Sequence, residues 1–141
     1  MIRITPPTAE IVTLDDARAH LRVDHDHDDM LIQTYLDAAT AWVDGFDGVL
    51  GRCVMEQTWR ATAEEARCMV APLDTIAVVV NDDDTVDYTI AMPAEKVPSV
   101  RAAILLLVGY WYEQRQASVE GNWAEAPMAV RSLLTPLRVW V

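Results

Sequence analysis

The sequence predicts an α+β protein, mainly a bundle of about four helices with a small antiparallel β element between the second and third long helices. Apolar residues recur at helical spacing in two long stretches, around 27–44 and from Pro98 onward. Between them, the β-branched run "TIAVVV" at 75–80, the tip "NDDD" and the run "TVDYTIAM" read as a hairpin. A length of 141 residues with 52% hydrophobic content suits one domain, residues 1–141, with a core of its own.

The first 12 residues form an extended, proline-containing lead. Thr13, followed three residues later by Asp16, predicts an N-cap pair opening a short helix. Leu14, Ala17 and Leu21 then share one face, while Asp15 and Asp16 in the first turn and Arg18 and Arg22 in the last complement the helix dipole. A second helix is predicted over 27–44, where Leu31, Tyr35, Ala38, Ala39, Trp42 and Val43 recur on one side, and Gly45, Gly48 and Gly51 end it. Alternation around Trp59 predicts a strand within Val54 to Thr62, with a second short strand over 67–71 and a hairpin turning at Asn81 to Asp84.

Pro98 suits the first turn of a third helix running through "SVRAAILLLVGYWYEQRQ". Being apolar nearly all round, this helix should be central, with Ile104, Leu107, Val108 and Trp111 in the core. Residues 117–126 read as a linker to Pro127 and a last helix carrying Met128, Val130, Leu133 and Leu134. Pro136 stops that helix, and residues 136–141 are expected to run on as a C-terminal arm. Its apolar residues surround a single arginine, a mix suited to an interface, so Arg131, Leu134, Leu137, Arg138, Val139 and Trp140 are the candidate partner-binding residues. The competing expectation is that Trp140 folds back onto its own protomer.

Acidic groups outnumber basic ones 22 to 11, which argues against nonspecific grip on nucleic acid, since a phosphate backbone is bound by clustered Lys and Arg. The longest apolar run, Ala103 to Tyr112, is about half of what a membrane span needs. No signal peptide is read in the polar start "MIRITPP", so a cytoplasm is the expected site of synthesis. The stretch "VDHDHDDM" at 23–30 places Asp24, Asp26 and Asp28 at the first three ligand positions of a calcium loop. The sixth position, which needs Gly, is Asp29, and the twelfth, which needs Glu, is Tyr35. A zinc set fares little better, because His25 and His27 are two apart and His20 is the one histidine left. A helix start explains more, with Asp26 as N-cap and Asp28 and Asp29 in the first turn. Asp82, Asp83 and Asp84 read as a solvated tip, and Cys53 and Cys68 as buried or half-buried structural thiols. Tyr110, Trp111 and Tyr112 belong to a core or a subunit contact rather than a ligand cavity. No catalytic, cofactor-binding or metal-ligating residue is assigned, and no enzymatic activity is expected.

Four segments taken in order carry a resemblance. "VTLDDARAHLRVDHDHDDMLIQTYLDAATAWVDGFDG", "QTWR", "VPSVRAAILLLVGYWYEQRQA" and "APMAVRSLLTPLRVW" together resemble the gp6-like head-tail connector (adaptor) family of tailed phages and gene transfer agents. The stretch between Trp59 and Val97 departs from that pattern, lacking a glycine-rich hairpin. The resemblance implies a structural protein at the virion head-tail junction, made in the bacterial host cytoplasm. It implies a homo-oligomeric ring of about a dozen copies, a dodecamer or close to it, under the portal protein. Such a ring extends the DNA channel and offers its lower face to a stopper or tail-completion protein, and DNA passes without specific binding. Two other readings compete: a small acidic binding or regulatory module of the cytoplasm, and a metal-dependent enzyme built on the Asp/His stretch.

Overall fold

A computed structural model of the protein describes residues 1–114 and 127–140. Strand β1 (Ile2–Thr5) is followed by helices α1 (Leu14–Leu21) and α2 (Asp29–Val43), strand β2 (Gln57–Ala61) and a short helix α3 (Ala63–Cys68). Strands β3 (Thr75–Val80) and β4 (Val86–Ile90), then helices α4 (Val97–Gln114) and α5 (Met128–Leu134), complete the order. The fold is α+β, as expected, with a four-stranded antiparallel sheet in the order β1-β2-β4-β3.

Helix α1 begins as its sequence dictates: the Thr13 hydroxyl accepts from the Asp16 amide, and the Asp16 carboxylate accepts from the Thr13 amide. It ends at Arg22 in the left-handed conformation. Helix α2 starts later than expected. Asp28, not Asp26, is its N-cap residue, and no side chain caps it there. The Asp26 carbonyl accepts from the Asp29 amide, while the Asp28 carboxylate accepts from the Tyr112 hydroxyl at 2.6 Å. Tertiary contact thus takes the carboxylate that local capping would have used. At the far end the chain reverses sharply, with Gly45 in the left-handed region (φ +88) and a Cβ on Gly48 falling 2.6 Å from the Asp44 and Val43 carbonyl oxygens.

Two departures concern the sheet. The stretch 67–71, expected as a strand, belongs partly to α3, because Thr62 and Glu65 form a second capping box that nucleates a helix. The lead, expected as an extended segment with no strand assigned to it, contributes β1, paired with β2 through Ile2 opposite Arg60 and Arg3 opposite Trp59. The hairpin between β3 and β4 turns at Asn81–Asp84 as expected, with Asp84 in the left-handed region.

Helices α1, α2, α4 and α5 share one core, in which Ile32, Leu36, Val43, Val100, Ile104, Leu107, Val108, Val130 and Leu134 are buried. Helix α4 is its centre, as its nearly continuous apolar surface requires, and Trp111 is half-buried at its edge against Tyr35. A smaller cluster of Cys53, Ala61, Tyr88 and Ile90 lies under the sheet, covered by Ala66 and Met69 of the α3 segment. The expected linker, 117–126, and the last expected residues of the third helix lie outside the described residues.

Candidate partner-binding surface

The residues expected at a partner surface divide into two sets. Leu134 and Leu137 are buried in the protomer's own core, because the chain after α5 continues into a 3-10 turn, Thr135–Leu137, which places both on one side. Pro136 sits at the start of that turn, where its missing N–H costs nothing. The chain becomes extended only at Arg138. Arg131, Arg138 and Trp140 face outward, Trp140 at 70% exposure, and Val139 is half-buried. The Arg138 guanidinium lies 4.4 Å from the centre of the Trp140 ring, a cation–π pair presented to solvent.

What holds this end in place is a residue the sequence did not single out. Arg52, 4% exposed, donates to the Leu137 carbonyl at 3.1 Å and donates from Nε and Nη2 to one carboxylate oxygen, Oδ2, of Asp74, itself nearly enclosed. The Val139 amide donates to the Leu50 carbonyl at 2.8 Å, continuing the attachment by one more residue. Asp74 adopts a left-handed backbone (φ 67), which Asp tolerates better than most residues. The one available signal was a lone arginine in the otherwise apolar stretch "VLGRCVM".

The acidic stretch 23–30 is held rather than poised. Arg18 donates to the His25 carbonyl at 3.0 Å and lies 3.5 Å from the Asp29 carboxylate, and the His25 and His27 rings meet edge to face. Among the described residues, no group of three or more His, Cys, Asp or Glu is placed to hold a metal ion. At the hairpin tip the Asp83 carboxylate accepts from the Thr85 hydroxyl and amide, which lowers its pKa, so Asp83 serves the turn. Burial pushes the Cys53 thiol up to about 12 and removes it as a nucleophile at neutral pH, while Cys68 is exposed, not half-buried. Between the lead and α2 runs a groove of about 730 Å³, with Leu36, Phe46 and Trp59 in its walls and Glu10, Asp37 and Asp47 contributing acidic groups. Among the described residues, no helix is long and apolar enough to cross a membrane.

The chain end thus carries an exposed aromatic and arginine tip on a segment anchored to the helical core. The family described as Phage gp6-like head-tail connector protein matches residues 11–138, nearly the whole chain. The chain belongs to that family. Its role is that of a structural phage connector and virion component, assembled with other head and tail proteins. Neither a curated protein nor a solved structure matches the chain. For this connector, the match ends at Arg138, so the span includes the clamp of Arg52 on Leu137 and stops just before Trp140.

Proposed function

We propose that this connector assembles as a ring of about a dozen copies beneath the portal, lengthens the DNA channel and presents its lower face to a stopper or tail-completion protein. Membership of the connector family across residues 11–138 is the observation that carries this reading. The charge balance supports it: 22 acidic against 11 basic groups would repel a passing phosphate backbone rather than grip it. Arg131, Arg138, Val139 and Trp140 make the contact with the portal or an adjacent subunit. Leu134 and Leu137, buried in the core, aim that segment.

Electron micrographs of the purified protein mixed with its portal test the reading. Added ring-shaped density at the narrow end of the portal is expected, and Trp140→Ala should weaken that binding without changing the melting temperature. A stable monomer that ignores the portal would return the protein to the class of small acidic binding modules.

A further inference from the structure

Strand β3 is an edge strand of unusual composition. A run such as "TIAVVV", without charge or proline, normally signals a strand covered on both faces. Here it is the last strand of the sheet, and Ile76, Val78, Val79 and Val80 are 58%, 53%, 55% and 69% exposed. The strand register places Val78 beside Tyr88 on the inner face and Val79 beside Asp87 on the outer face, so both faces of the edge are apolar and uncovered. Edge strands are commonly guarded by Lys, Pro or a bulge. The register shift in β3 lies at its start, between Thr75 and Ala77, and the valines beyond it pair regularly.

The opposite edge of the sheet is β1, whose Ile2 and Ile4 are 66% and 39% exposed. Because every neighbouring pair is antiparallel, β1 and β3 run in opposite directions across the four strands. A second copy set beside the first in the same orientation would therefore offer its β1 antiparallel to β3, continuing the pattern of the sheet. We propose that β3 of one copy pairs with β1 of the next, so that the sheets of adjacent subunits join edge to edge around the assembly.

The faces of the two edges fit this pairing. Ile2, Arg60, Asp87 and Val79 form one row across the outer face, where Arg60 and Asp87 make a two-pronged ion pair. Joining Val79 to Ile2 of the next copy keeps that face outward and covers two exposed apolar side chains with each other. The same alignment sets Arg3 of the next copy beside Val78 on the inner face and carries the tip, Asp82 to Asp84, past the neighbouring Met1. A repeated β3–β1 contact is head-to-tail and can close into a ring without leaving an edge, whereas a two-fold β3–β3 contact would leave every β1 open. The inference rests on the ring assembly proposed above and names the surface that builds it.

The test uses the full chain with the exposed thiol removed by Cys68→Ser, carrying Ile2→Cys and Val79→Cys together or singly, mixed with portal and treated with a short bismaleimide. The double variant should give a covalent ladder extending beyond dimer, and each single variant none. A second variant, Val78→Lys with Val80→Lys, should keep the monomer's circular dichroism spectrum and lose the ring density seen by electron microscopy. Rings without a ladder, or rings that survive the lysines, would overturn the edge contact while leaving the ring reading intact. A dimer formed by Val79→Cys alone would overturn it in favour of a two-fold β3 pair. Absence of rings from the unsubstituted protein would overturn both readings.

Discussion

Arg52 is enclosed among apolar side chains, with its guanidinium divided between the Asp74 carboxylate and the Leu137 carbonyl. A buried pair of this kind adds little over a well-packed apolar substitute, but removing one partner strands the other charge. Arg52→Met should therefore lower stability by roughly 3–5 kcal/mol in chemical denaturation and release the chain end beyond Leu137. A variant as stable as the parent would show that Asp74 reaches solvent once unpaired. The cysteines make the opposite point, since burial separates them. Cys53, with its thiol raised to about 12, should stay unlabelled by a maleimide in the native protein, whereas Cys68 should label readily. Counting labelled thiols by mass before and after denaturation checks this, with one modified in the native state and two after unfolding.

At the scale of elements, capping decided two helix starts and failed to decide a third. Thr62 caps α3 through the Glu65 amide, so Thr62→Ala should cost about 0.5–2 kcal/mol in denaturant unfolding. Asp26→Ala, which the sequence pattern marks as a cap loss, should shift stability by no more than about 0.5 kcal/mol, because the Asp26 side chain is exposed and Asp28 occupies the N-cap position. Glu65 also carries a pH dependence. Bonds from the Met1 ammonium and from the Thr62 amide and hydroxyl hold its carboxyl down at about 2, against an ordinary value of 4.5. A carboxyl depressed in the folded state stabilises it above the unfolded value and loses that contribution as pH falls through the folded one. Melting temperature should accordingly drop between 4.5 and about 2, and more shallowly in Glu65→Gln. Part of the slope will remain, because Thr13, Thr85 and Arg60 lower the carboxyls of Asp16, Asp83 and Asp87 in the same direction.

For the whole molecule, the chain end is core as far as Leu137, and the contact proposed for it lies beyond that residue. Truncation after Thr135 removes Leu137 from the core and its carbonyl from Arg52, so it should destabilise the protomer in thermal melts monitored by circular dichroism. Truncation after Val139 keeps both, along with the bond from the Val139 amide to Leu50, and should melt as the full chain does. Only the second cut isolates the role of Trp140 in assembly. Equal stability of the two truncated forms would show that Leu137 contributes no more than the tip beyond it.

The α+β class, the capping box of α1, the central position of α4 and the hairpin at 81–84 were legible in the sequence, because each rests on local chemistry: side-chain period, cap residues and turn residues. Family membership was legible too, since it rests on the order of four segments. Tertiary structure alone decided the rest. It gave Asp28 to Tyr112 instead of to a helix cap, turned the lead into a strand by pairing it with β2, and used Leu137 as core through an arginine distant in sequence. It also placed "TIAVVV" at an edge. Apolar period reports which residues prefer to be covered, whereas strand order determines which of them a single chain can cover, and in β3 four valine and isoleucine side chains stay exposed.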